Sequence, residues 1–247
     1  MKNKLNWQVT LALILIAFGV FFYYVHWLVF RDVEHIFLYF IGDVAFVFFE
    51  VLLVTLVIHR LLHHREQKAV LNKINMLIGA FFSELGTDLL RIFATFDGRA
   101  HKIKDHLSAP DDWSESEFLN IRDTVEQHDS NIETGESDFA TVDGILQKNK
   151  NFLLDLLQNQ NLLQNEPFTD LVWAVYHLAK EMEHRGDLSD LPSNGRQHLN
   201  TDIERVYELM LVQWMDYIQH LRRCYPHLFS LADRTNPFNL KTSVEVK

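Results

Sequence analysis

Cysteine occurs once in the 247 residues, at Cys224. One thiol excludes an intrachain disulfide and fits a reducing compartment, and without zinc-type spacing around it the residue reads as a small packed side chain. Glycine is sparse, and none of it forms a phosphate-cradling loop. Gly-x-Ser-x-Gly, His-Glu-x-x-His and EF-hand patterns are absent too. The chain therefore carries no catalytic signature, the reading leans away from an enzyme, and no cofactor is implied. Sustained period-two alternation is missing, as is any repeat of 20 to 50 residues, so neither a sheet nor a solenoid is expected. Positive charge is in deficit: 23 Lys+Arg stand against 33 Asp+Glu, a net charge of −10. An acidic chain is a poor partner for nucleic acid, where affinity comes from neutralising phosphates.

The most informative absence is local. From Trp7 to Phe30 there is no Asp, Glu, Lys or Arg. Such a run spans about 36 Å as a helix, enough for a hydrocarbon core. It is too long for a signal-peptide core, and no small-x-small cleavage site follows it. Tyr23, Tyr24 and Trp27 crowd its far end like an interfacial belt. A second apolar run covers 35–59 but contains Asp43 and Glu50. Seventeen Leu, Ile, Val and Phe residues between 36 and 58 offer roughly −5 to −10 kcal/mol of insertion energy, against about +2.5 to +3.5 for each central acid. The balance is near neutral, so the acids do not exclude a span. Only "RDVEH" (31–35) lies between the runs, which predicts a tight helical hairpin. That is too little chain for the pore helix and filter of a two-span potassium channel. Lys2 and Lys4 precede the first span. Arg60, Arg65, Lys68 and Lys73 follow the second. The positive-inside rule then places both termini in the cytoplasm, giving a multi-pass protein of the cell (inner) membrane with the lipid bilayer as its first partner.

Residues 60–247 hold 20 of the 23 basic and 29 of the 33 acidic residues. Apolar positions from Val70 through Ile74, Ile78, Phe81, Leu85, Leu89 and Phe93 to Phe96 recur every three or four residues. They predict one helix running on from the second span. Gly79, Ser83 and Gly86 put small residues along one side, a helix-packing stripe or simple tolerance. Ser114 and Glu117 make a capping box for a helix near 115. The chain breaks again near 135, and a helix follows from about 138 to 163 with Val142, Ile145, Phe152, Leu156 and Leu163 inward. Asn165 caps the next helix, Pro167 sits in its first turn and Gly186 ends it. A long helix from 197 to about 224 precedes Pro226, and "HLFSLADR" adds a short turn of helix. The expected fold is all-α: a transmembrane hairpin over 1–59, a cytosolic helical bundle over 60–238 built on the extended second helix, and a tail over 239–247.

Two segments, "NMLIGAFFSELGTDLLRIF" (75–93) and "YPHLFSLADRTNPF" (225–238), resemble segments of bacterial two-span inner-membrane proteins with a helical cytosolic domain. The resemblance spans most of the chain. It implies the bacterial inner membrane and carries over no activity and no site residues.

Two groups of residues could carry chemistry. Asp43 and Glu50 are seven apart, hence within about 20° on one helix face. In a tight hairpin, Asp43 falls at the depth of Tyr23, with Tyr24 and His26 as further hydrogen-bond partners. Glu50 meets nothing polar there, so it is protonated, bonded to another protomer or set on a water-filled path. Histidines form the second group. His59 and His63 share a face, as do His177, Glu181 and His184. Either set is a candidate metal site, with interfacial flank or solvated face as the plainer alternative. The second set supplies one Glu-x-x-His, where a di-iron bundle needs two. Glu84, Asp88, His198, Asp202, Asp216 and His220 have no evident reason to converge. The leading function is a membrane-anchored scaffold or signalling module that forms a homo-oligomer through its spans and extended helix and can meet a cytosolic protein partner. The alternatives are an oligomeric ion or proton channel using Asp43 and Glu50, and a metal-binding bundle enzyme or sensor.

Overall fold

The computed structural model describes residues 2–108 and 113–239. It is all-α, 84% helical and without strands among the described residues. The chain divides into two compact units, 1–66 and 67–247.

In the first unit, α1 runs Lys2–Phe30 and α2 starts at Val33. The turn is shorter than "RDVEH" suggested, because Val33, Glu34 and His35 already belong to α2. Arg31 makes the reversal in the left-handed region at φ 50°, and its N–H donates to the Trp27 carbonyl at 2.8 Å. This single bond closes α1 in the manner of an αL cap, a place usually held by glycine. Two helices are long and apolar enough to cross a membrane by length and composition, one over Val9–Phe30 and one beginning at Ile36. Across 9–30 and 37–58 every side chain except half-buried His26 is exposed, so the hairpin does not cover its own apolar surface.

In the second unit α2 continues to Phe81, and a π-turn, Phe82–Gly86, leads into α3, Thr87–Phe96. The predicted single helix to Phe96 is thus interrupted, by one extra residue rather than by a break. Then come α4 (His101–Leu107), α5 (Glu115–Glu126), α6 (Glu136–Lys148), α7 (Lys150–Leu157), α8 (Glu166–Arg185), α9 (Ser193–Cys224) and α10 (Pro226–Arg234). Local chemistry sets many of these limits. Ser114 Oγ accepts from the Glu117 N–H while the Glu117 carboxylate accepts from the Ser114 N–H. Asn165 caps α8, which has proline in its first turn, and Gly186 leaves it at φ 70°.

The expected helix over 138–163 is split. Asn149 folds its side-chain amide back onto the Ile145 carbonyl at 3.0 Å, competing with the helix ladder as such residues do. After α7 a short 3-10 turn at Leu162–Gln164 changes the register. Leu162 is therefore buried and Leu163, expected inside, is 75% exposed.

The core of this unit surrounds α9, which packs on α3, α5, α8 and α10. Phe81, Phe82, Phe93, Phe139, Phe168, Tyr207, Trp214 and Phe238 are its large, almost fully buried side chains. Each such burial contributes about 1.5–3 kcal/mol. Cys224 is exposed at the end of α9 rather than packed.

A buried polar clamp joins α3 to the loop after α5. Asp97 Oδ2 and His128 Nε2 are 2.7 Å apart, with side chains 0% and 3% exposed. Asp97 Oδ1 accepts from the N–H groups of Arg99 and Asn131. Nothing in the spacing of these residues predicted the pair, which closes across 31 positions.

Candidate functional site

The π-turn is the structural oddity of the bundle, and a cavity of about 680 Å³ lies beside it. Such turns insert one residue into a helix and are frequent at functional sites. Here the insertion lets two consecutive phenylalanines enter the core. Phe81 meets Phe168 of α8 edge-on at 5.7 Å, and Phe82 stacks on Tyr217 of α9 at 5.2 Å. Gly86 makes this possible. A Cβ there would come within 2.8 Å of ring atoms of both phenylalanines. Thr87 Oγ1 closes the turn by donating to the Phe82 carbonyl at 2.8 Å.

Four parts of the chain wall the cavity. The end of α2 gives Asn72, Asn75, Met76 and Gly79. The π-turn and α3 give Phe82, Ser83, Thr87, Asp88 and Arg91. From α9 come Trp214, Tyr217, His220 and Leu221, and the segment 225–237 adds Tyr225, Leu228, Leu231, Ala232, Thr235 and Pro237. The two segments that carried the resemblance thus face each other across one cleft.

Polar groups sit at defined places on these walls. His220 Nδ1 lies 3.2 Å from the Asn75 amide nitrogen. Its Nε2 is buried and has no hydrogen-bond partner among the described residues. Burial pushes the His220 pKa down, favouring the neutral ring. The Ser83 hydroxyl is within hydrogen-bond reach of the Tyr217 phenol, whose pKa is pushed up by burial. Asp88 and Arg91 pair at 2.9 Å, and Arg91 also donates to the Thr235 carbonyl. The charged pair therefore cancels itself and ties α3 to the end of α10.

The residues singled out from sequence fall as follows. Gly79 and Ser83 face the cavity. A Cβ at Gly79 would lie 3.6 Å from Tyr217, an ordinary contact, while the space at Gly86 is taken by rings of its own helix rather than by a neighbour. Of the six residues with no evident reason to converge, Asp88 and His220 line the cavity. His198 lies 3.5 Å from Asp202, Asp216 binds Arg122 and Glu84 is exposed. His177, Glu181 and His184 do not converge. Glu181 pairs with Arg185, His184 bonds the Lys180 carbonyl and His177 points toward Asp202 at 4.0 Å. Among the described residues no three His, Cys, Asp or Glu side chains gather as a metal site would. His59 and His63 stack with ring centroids 6.3 Å apart.

Asp43 joins none of its expected partners. The Tyr23 ring lies against Phe40 instead, with centroids 6.3 Å apart. Tyr24 lies against Trp27 and His26 against Phe30, both pairs with tilted rings. Among the described residues neither Asp43 nor Glu50 has a hydrogen bond or ion pair within the chain.

Residues 70–234 match the family model of the MJ1433 C-terminal helical domain. This chain belongs to that family. Residues 2–62 match the family's N-terminal helical domain, so the two matched segments fall on either side of the division between the structural units. "Uncharacterized protein MJ1433" of Methanocaldococcus jannaschii is 40% identical over 242 residues, covering 98% of this chain and 97% of that protein. It is archaeal, so the bacterial source implied by the resemblance is not supported. No solved structure matches. Apart from Thr235 and Pro237, the whole cavity wall lies inside the matched C-terminal domain.

Proposed function

We propose that the chain is a membrane-anchored helical module that assembles into a homo-oligomer through its spans, with the bundle as its scaffold or signalling part in the cytosol. Both termini are then cytoplasmic, and the second unit is the surface offered to a cytosolic protein partner. One observation carries this reading. Asp43 and Glu50 share a face of α2, are exposed and find no partner among the described residues. Lipid can cover the apolar residues around them, but it offers a carboxyl group no hydrogen bond in the hydrocarbon core. A second copy can, since its own hairpin brings the same polar groups to the same depth. Interhelical hydrogen bonds in membranes are worth about 1–2 kcal/mol.

The test is the oligomeric state of the full chain in nanodiscs. The reading expects a stable oligomer whose dissociation constant rises about tenfold in Glu50→Leu or Asp43→Leu, the equivalent of about 1.4 kcal/mol. A strictly monomeric protein would sink it. The same unpartnered face would also suit a water-filled path. Proton flux into liposomes that is abolished by Glu50→Gln would move the reading from scaffold to channel.

A further inference from the structure

We propose that the cleft beside the π-turn is a binding site for an uncharged, elongated amphiphile: an apolar chain or ring system carrying one hydrogen-bonding group. This rests on the bundle alone and stands whether or not the spans oligomerise.

Shape limits the occupant first. The cleft follows the helical segment from Asn72 to Arg91, a length of about 28 Å at the helical rise. The cavity holds about 680 Å³, a volume in the range of small-molecule sites. A slender small molecule fits within it. Entry is open, since Met76 and Leu228 on the rim are 72% and 52% exposed.

Charge limits it next. Among the described residues on the wall, Asp88 is the one carboxylate and Arg91 the one Lys or Arg, and they pair with each other. An ionised head group would find no unpaired counter-charge among these side chains. An uncharged head group needs none. His220 supplies the polar contact. Its Nε2 is buried without a partner among the described residues, a polar atom that a ligand hydroxyl or carbonyl would satisfy after a small rotation of the ring. Phe82 and Trp214 provide the apolar wall.

Photolabelling tests this with the full chain in nanodiscs. The probes are a diazirine-bearing octanol, which is uncharged, and the matching octanoate. Adducts are mapped by peptide mass spectrometry. The expected result is saturable octanol labelling on peptides covering 72–91 and 214–237, competed by unlabelled octanol, with at least fivefold less labelling by octanoate. Gly79→Leu fills the cleft and Met76→Trp blocks its exposed rim, and each is expected to abolish the labelling. Because Met76 is mostly solvent-exposed, Met76→Trp keeps the fold. His220→Phe should reduce octanol labelling severalfold while leaving a diazirine-bearing octane unchanged. Competition by monoolein placed in the nanodisc bilayer would indicate a lipid source for the natural occupant, and competition only by alcohols added to the aqueous phase a cytosolic one. Labelling that does not saturate, that favours octanoate, or that survives both Gly79→Leu and Met76→Trp would overturn the proposal.

Discussion

At the scale of single residues, the polar groups of the bundle separate into those that are satisfied and those that are not. Asp97 is satisfied four ways over, counting His128, Arg99, Asn131 and the bridge its backbone makes to Ile132. Asp97→Ala would strip buried acceptors from the His128 ring and two backbone N–H groups. At about 1–3 kcal/mol for each buried group left unsatisfied, the loss is about 3 kcal/mol or more. Chemical denaturation of Asp97→Ala against the parent protein measures it, and a change below about 1 kcal/mol would mean that the clamp is not structural. His220 is the opposite case. Its pKa lies below the ordinary 6.5 because burial disfavours the charged ring. The unfolded chain therefore takes up this proton at a higher pH than the folded one. Stability from this group is complete above about pH 6.5 and falls as the pH drops through the folded pKa. Its hydrogen-bond partner Asn75 carries no ionisable group. The melting temperature of the parent should consequently fall more steeply between pH 7.5 and pH 5.5 than that of His220→Phe. Parallel curves for the two proteins would contradict the assignment.

At the scale of elements, the π-turn and its glycine decide how α2 and α3 enter the bundle. Gly86→Ala would drive a methyl group into the Phe81 and Phe82 rings, both already buried. The rings must shift or the turn must revert to α-helix, which would swing α3 by one residue. Overpacking of this kind costs about 1–3 kcal/mol. The same substitution at Gly144, where nothing lies within 4 Å, should instead stabilise α6 by up to about 1 kcal/mol. Comparing the two melting curves separates a conformational need from mere tolerance. The contrast also shows what the sequence could reveal. Helix ends were legible where a cap and its partner lie within a few residues, as with Ser114 and Glu117, Asn165 and Pro167, or Gly186. The two long apolar helices and the acids within the second were legible because composition marks them. The π-turn at 82–86, the interruption at Asn149 and the exposure of Leu163 were not, since a helix keeps nearly the same apolar spacing through one inserted residue. The cavity was half legible. Gly79 and Ser83 stood out as small residues, but Asp88 and His220 line one cavity only because α9 returns alongside α2 and α3 more than a hundred residues later.

At the scale of the whole molecule, the membrane reading makes a statement about sides that the protein itself can report. On that reading two spans would return the chain to the side from which it started, so Arg60, Arg65, Lys68, Lys73 and the bundle would share one compartment with the N-terminus. The positive-inside rule makes that compartment the cytosol. Cys224 is the only cysteine in the chain and is exposed at the end of α9, so the native protein carries one thiol placed to show its side. A membrane-impermeant maleimide should label Cys224 in inverted vesicles and after detergent permeabilisation, but not in intact cells. Labelling in intact cells would invert the topology and place the cleft outside, where a cytosolic partner could not reach it. Recovery of the full chain in the supernatant after ultracentrifugation of broken cells would remove the membrane reading itself. The exposed apolar surface of 9–30 and 37–58 would then have to be covered by other copies of the chain, and Asp43 and Glu50 would be contacts inside a soluble assembly. The labelling and sedimentation outcomes are independent, so together they distinguish a cytosolic module on an anchor from either alternative.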